Sequence, residues 1–215
     1  MNLPNAITVG RIIGAPFVAG LPFAPSWGWR LAGFVLFLVV AISDYYDGML
    51  ARRDNQITDL GKQLDPLADK LFIVATFVPM YLLMERWREF PFHTPLGEVG
   101  LPLWIVAVIL GRELFMTIFR QAAAKRGVVI AASGSAKWKT GFQLTWVGAA
   151  FFWFFAATAA ARFDWKGALW DAFAWFNGLV GLVTMIAATA LTLWSLWLYM
   201  RHYGWIFLPG RAARR

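Results

Sequence analysis

An all-α, polytopic membrane protein is the fold class this chain predicts, on three observations. Of its 215 residues 60% are hydrophobic and its mean hydropathy is +0.57, whereas soluble domains are nearer half apolar and carry long polar stretches. Apolar runs of roughly 20 residues, the length a helix needs to cross a hydrocarbon core, recur along the sequence. Within those runs the apolar residues are continuous rather than alternating, which argues against a β-barrel. Residues 1–215 are expected to form one transmembrane domain of six helices.

The first span is expected from about Ile7 to Phe23, interrupted by Pro16 and carrying Arg11. With Pro4 and Pro16 it can begin as a short N-terminal interfacial helix before entering the bilayer. The opening Met1-Asn2-Leu3-Pro4-Asn5 lacks the basic region of a cleavable signal, so the first segment is expected to stay in the mature protein. The second span runs from about Trp27 to Ser43 and continues as a polar helix through Arg53. The third covers about Leu64 to Leu83, the fourth Leu101 to Phe119 and the fifth Thr140 to Ala161. The sixth, Ala172 to Tyr199, is long enough to tilt or to project beyond the bilayer.

Charge orients this bundle. Twelve Lys and Arg residues fall on the face that holds the chain ends and the loop after the second helix, against five on the other. That asymmetry puts both termini and the loop in the cytoplasm. The net charge of +8 is accounted for by basic residues meeting anionic headgroups, as in the Arg211–Arg215 tail, so nucleic acid is not expected as a partner. Tryptophans such as Trp27, Trp87, Trp104, Trp165, Trp170 and Trp205 are expected as interface anchors. The chain has no cysteine and only His93 and His202 as histidines, so any metal site must be built from oxygen, which favours hard cations.

Oxygen ligands are concentrated in one place. Asp44, Asp47, Asp65 and Asp69 fall within 26 residues, and six of the twelve acidic residues lie between Asp44 and Asp69. On a helix Asp47 lies about −60° from Asp44, Ala51 about −20° and Gly48 about +40°, so one face presents two carboxylates and two small residues. Gly61, Asp65 and Asp69 follow at intervals of four on the next helix, again one face. A short polar loop joins the helices, so the two acidic faces can meet at the cytoplasmic end. Four convergent carboxylates raise one another's pKa unless cations lie between them. Two divalent ions would relieve the repulsion and clamp a phosphate during displacement. Glycine at 48 and 61 lets a bulky ligand approach the backbone, and Arg52 offers a planar fork for phosphate oxygens. Asp54 and Asp59 are expected to be local caps or solvated.

This stretch resembles the signature of the CDP-alcohol phosphotransferases, D-x-x-D-G-x-x-A-R-x(7 or 8)-G-x-x-x-D-x-x-x-D, with all eight fixed positions present. The likeness extends to Asn2-Leu3-Pro4-Asn5, to Leu64 through Lys70, to Gly111-Arg112-Glu113 and to Lys137-Trp138-Lys139-Thr140, and is similar to the bacterial branch that makes phosphatidylglycerol phosphate. Ala136 stands where that pattern has glycine. The resemblance implies that CDP-diacylglycerol and glycerol 3-phosphate react to phosphatidylglycerol phosphate and CMP. It also implies six helices, a homodimer in the bacterial inner (cytoplasmic) membrane and a site open to cytoplasm and lipid. It assigns two divalent cations, Mg²⁺ or Mn²⁺, to Asp44, Asp47, Asp65 and Asp69, with Asp69 also the general base. Asp44, Gly48, Ala51, Arg52 and Gly61 would hold the cytidine diphosphate portion.

The signature identifies the donor, so the acceptor must be read from cations nearby. Arg112 lies inside the fourth span and needs a ligand or a partner; it is expected to bind the acceptor phosphate or else form an interhelical pair. Its neighbour Glu113 points about 100° away, which makes a pair between them awkward. Lys137 and Lys139 open the fifth span, as ordinary positive-inside charge or as acceptor ligands, and Arg120 is a weaker candidate two turns beyond Arg112. Arg11 is expected to touch phosphate or to pair with an acid, and Lys70 to act as a structural counter-charge. Phosphatidylglycerol, inositol phosphate or serine are alternative acceptors. A divalent-cation transporter is the alternative outside enzymes, but it predicts acids through the bilayer depth, and no such trail exists.

Overall fold

The computed structural model describes the backbone of residues 3–53, 59–128, 130 and 134–207, and the side chains of residues 5–44, 46, 61, 64–128, 130 and 138–206. Six long helices make up the described chain: α1 (Leu3–Gly20), α2 (Trp27–Arg53), α3 (Asp59–Tyr81), α4 (Leu103–Ala124), α5 (Gly134–Phe163) and α6 (Ala168–Tyr203). All but α4 contain a stretch long and apolar enough to cross a membrane. Arg112, Glu113 and Arg120 on α4 dilute its hydropathy, and the helix gains its place by packing on α3 and α6. The chain is a multi-pass membrane protein of the all-α class.

Length and local chemistry explain the elements. At 27 residues α2 is about 40 Å long, against a hydrocarbon core of about 30 Å. Its apolar stretch ends at Asp44, and the remaining polar turns project beyond it. Among the described residues no separate interfacial helix precedes α1, which runs unbroken through Pro16. The helix α3 contains Pro66 and Pro79 and passes at its end into a π-turn, Leu82–Arg86, where the Trp87 N–H donates to the Leu82 carbonyl at 2.8 Å. A proline removes one rung of the helical ladder, and widened turns absorb such mismatches.

Sequence periodicity predicts no strand, yet a small hairpin, β1 (Phe92–Thr94) and β2 (Gly97–Val99), joins α3 to α4. Three-residue strands are too short to show alternation. The hairpin is held by burial: the Phe92 ring is fully enclosed, lying on Gly181 of α6, while the His93 backbone lies on Gly178. A Cβ at either glycine would overlap those atoms. Beside it Arg30 is buried, donating to the Pro22 carbonyl at 3.0 Å, to Glu89 at 3.0 Å and to Thr158, with its guanidinium 4.3 Å from the Phe90 ring centroid. That cluster ties α2, the turn after α3 and α5 together at the end of the bundle opposite the aspartates.

Between the ends, the core is aromatic. Phe37 of α2 stacks on Phe72 of α3 at 5.8 Å and touches Phe151 of α5 at 5.4 Å; Phe77 meets Trp146 edge-on at 5.2 Å. Inside a bilayer the lipid is as apolar as a side chain, so close packing rather than water exclusion holds helices together. Small buried residues on both helices fit that requirement where α5 packs on α6, among them Ala149, Ala156 and Ala160 on α5 and Ala174 and Ala188 on α6.

Candidate active site

The helix α1 organises the acidic end. It packs along both α2 and α3 and links Asp44 of α2 to Asp69 of α3 through Arg11. Thr8 and Arg11 are three residues apart and share one face. The Thr8 hydroxyl donates to Asp65 at 3.0 Å. The Arg11 guanidinium spans two carboxylates, with Nη1 2.6 Å from Asp44 and Nη2 2.8 Å from Asp69. Of the two sequence-based options for Arg11, pairing with an acid is the one observed. Arg11 is buried while both carboxylates stay about half exposed, so the acids keep a face toward water or ligand.

Asp44, Asp65 and Asp69 are thus drawn to one side of α1, and Gly61, one turn before Asp65, is buried. The backbone of α2 continues helically through Asp47, Gly48, Ala51 and Arg52, whose side chains lie outside the described residues, as does the side chain of Lys137 on α5. Asp54 falls outside the described residues altogether. Among the described residues no three acidic or histidine side chains converge closely enough to hold one metal ion. The donor set nevertheless fits hard cations: its ligands are carboxylate oxygens, half exposed, and already arranged around positive charge in the form of the Arg11 fork.

Across the cavity from the aspartates stands a second charged group. Glu113 of α4 accepts from Arg112 Nη1 at 2.9 Å and also from the Lys139 ammonium of α5. The expectation that a pair between neighbouring Arg112 and Glu113 is awkward is therefore corrected. Both side chains are long enough to bend toward the same gap, and a buried guanidinium in an apolar span takes the nearest anion. Arg112 also donates to Ser195 of α6 at 3.2 Å, while its Nε is buried without a hydrogen bond. Arg120 is turned away, its Nη2 donating to Tyr199 at 3.3 Å with its guanidinium 5.6 Å from that ring's centroid.

One cavity of about 210 Å³ unites these parts, with Arg11, Asp44 and Asp69 on one wall and Glu113, Lys139, Thr140 and Gln143 on the other. Arg112 stands behind Glu113 rather than on the wall, and Arg120 does not reach it. Phe37, Ala41 and Leu144 line both this cavity and an apolar groove of about 710 Å³ between α2, α5 and α6. Glu113, Thr8 and Gln143 are site residues that sequence reasoning missed. A polar side chain one turn after Lys139 in an otherwise apolar span was the available signal for Gln143.

The chain matches the family model described as CDP-alcohol phosphatidyltransferase over residues 1–194. It is 36% identical over 160 residues to the CDP-diacylglycerol–glycerol-3-phosphate 3-phosphatidyltransferase of Bacillus subtilis (strain 168), covering 69% of this chain and 75% of that one. The protein of the same description from Escherichia coli (strain K12) is 30% identical over 201 residues, 93% of either chain. A cardiolipin synthase (CMP-forming) of Streptomyces coelicolor is 37% identical over 121 residues, 55% of this chain and 49% of that one.

Proposed function

This chain belongs to the CDP-alcohol phosphatidyltransferase family, and from that premise we propose that it transfers the phosphatidyl group of CDP-diacylglycerol to glycerol 3-phosphate. The products are phosphatidylglycerol phosphate and CMP. The observation that carries this reading is a small cavity with carboxylates on one wall and a buried lysine on the other. The first wall suits a donor pyrophosphate with its counter-ions; the second suits a small acceptor that brings its own phosphate.

In the reaction the primary hydroxyl of glycerol 3-phosphate attacks the phosphorus that carries diacylglycerol. Its oxygen forms the new P–O bond, the bond to the CMP phosphate breaks, and the hydroxyl proton passes to Asp69. A positioned base of this kind contributes about 10²- to 10⁴-fold. The family generally uses divalent metals; here two, Mg²⁺ or Mn²⁺, held by Asp44, Asp47, Asp65 and Asp69, would supply charge neutralisation at the pyrophosphate. Arg11 and Thr8 orient three of those carboxylates. Gly48, Ala51, Arg52 and Gly61 are assigned to the cytidine diphosphate portion by their match to the family signature.

Lys139 and Lys137 bind the acceptor phosphate, and Arg112 supports them from behind Glu113. Glu113 neutralises the cations until a phosphate dianion takes its place. The apolar groove that opens from the cavity supports a lipid donor, its chains lying between α2 and α5. The enzyme acts as a homodimer in the bacterial inner membrane with its site toward the cytoplasm, an orientation supported by the excess of Lys and Arg at that end. Supplying labelled glycerol 3-phosphate and CDP-diacylglycerol to the purified protein should yield labelled lipid and CMP. CMP release only with phosphatidylglycerol, inositol phosphate or serine would reassign the acceptor.

A further inference from the structure

On the wall of the cavity stands a buried amide, Gln143. Gln143 lies one turn beyond Lys139 on the same face of α5, it is 8% exposed, and it faces the cavity shared with Asp69, Glu113 and Lys139. Its carboxamide oxygen is buried without a hydrogen bond. Leaving a buried acceptor unsatisfied costs about 1–3 kcal/mol, and folded proteins satisfy nearly all such groups. The threonines of α6 obey that rule, Thr184, Thr189 and Thr192 each donating to a carbonyl one turn back, whereas Arg112 Nε and Trp146 Nε1 are, like Gln143, buried without a partner. A glutamine that lines the reaction cavity with its buried carboxamide oxygen unpaired is arranged for a donor that arrives from outside.

The dimensions identify the donor. A cavity of about 210 Å³ corresponds to about seven waters at about 30 Å³ each, and it is shared with the donor pyrophosphate, so the acceptor it admits is a small phosphorylated polyol and not a lipid headgroup with its glycerol backbone. With the acceptor phosphate at Lys139 and its reacting hydroxyl toward Asp69, the middle of the molecule passes Gln143. We propose that Gln143 is the specificity determinant for the acceptor alcohol, its carboxamide oxygen accepting the hydrogen bond of the non-reacting secondary hydroxyl. This inference rests on glycerol 3-phosphate being the acceptor. A site that pairs a substrate hydroxyl rejects analogues lacking it, because the protein group is then stranded.

The test compares glycerol 3-phosphate with 3-hydroxypropyl phosphate, which lacks only the secondary hydroxyl, in the wild type, Gln143→Met and Gln143→Leu. The wild type should prefer glycerol 3-phosphate by about tenfold or more in kcat/KM, as expected for one hydrogen bond plus a stranded acceptor. Both variants should reduce that preference to within about twofold by losing on glycerol 3-phosphate alone. The KM for CDP-diacylglycerol should not move, and Tm should hold or rise because an unpaired amide has been removed. Variants that keep the full preference, lose both acceptors equally or fail to fold would each overturn the assignment, the last by showing that the carboxamide serves the fold. Those results leave the acceptor reading intact; a wild type that ignores glycerol 3-phosphate but uses another alcohol defeats that reading, and this inference with it.

Discussion

Removing Arg11 and removing its partners should have unequal consequences, because the buried member of this ion-pair group is the cation. Arg11 is 3% exposed, whereas Asp44 and Asp69 are 50% and 56% exposed. In Arg11→Met the carboxylates rehydrate, and the loss is that of two half-screened pairs, about 0–1 kcal/mol each. In the double variant Asp44→Asn with Asp69→Asn, a guanidinium stays buried after losing both of these anions, the situation that costs about 3–5 kcal/mol. For a chain of this size 1 kcal/mol shifts Tm by about 2–4 °C, so the single variant should fall by at most about 8 °C and the double, measured beside it, by more, in the range of about 6–20 °C. The measurement is thermal unfolding of detergent-solubilised protein by tryptophan fluorescence, with a chelator present so that no divalent ion contributes. If Arg11→Met falls as far as the double variant, the energetic role assigned to burial here is wrong and α1 docks for another reason.

Two further outcomes separate chemistry from scaffold. Asp69→Asn should lower CMP release by about 10²- to 10⁴-fold, the span of a general base, while circular dichroism shows the helices intact. Gly178→Ala should do the reverse: its Cβ would press on the His93 backbone, which cannot turn aside as a side chain could. An overpacked contact of this kind costs about 1–3 kcal/mol, read as a lower Tm, with activity per folded molecule unchanged at the far end of the bundle.

How much of this was legible beforehand depends on how far apart in the chain the interacting residues lie. The aspartates were legible because helical periodicity alone puts Asp65 beneath Asp69 and Asp44 beside Asp47. Spans were legible because each is a continuous apolar run, and α2 could be extended through Arg53 because its polar end needs only local helix to continue. The ion-pair partner of Arg11 was not legible, since Asp69 lies 58 positions away and both a phosphate and an acid satisfy a buried guanidinium. The Arg112–Glu113 pair was misjudged from an idealised angle that ignores how far an arginine can bend. The hairpin Phe92–Val99 escaped because its stability comes from Gly178 and Gly181 on a distant helix, not from its own residues.

Composition and spacing, then, determined the membrane fold, the acidic motif and the family-like chemistry at its end, because hydrophobic run length and helical period are properties of short segments. Tertiary structure alone decided that α1 would carry the cation binding two acidic helices together. It also decided that Glu113 would be shared by Arg112 and Lys139, and that Gln143 would line the cavity with its carboxamide oxygen unpaired. Each of those outcomes depends on which helices become neighbours, and that choice belongs to the packing of the whole bundle.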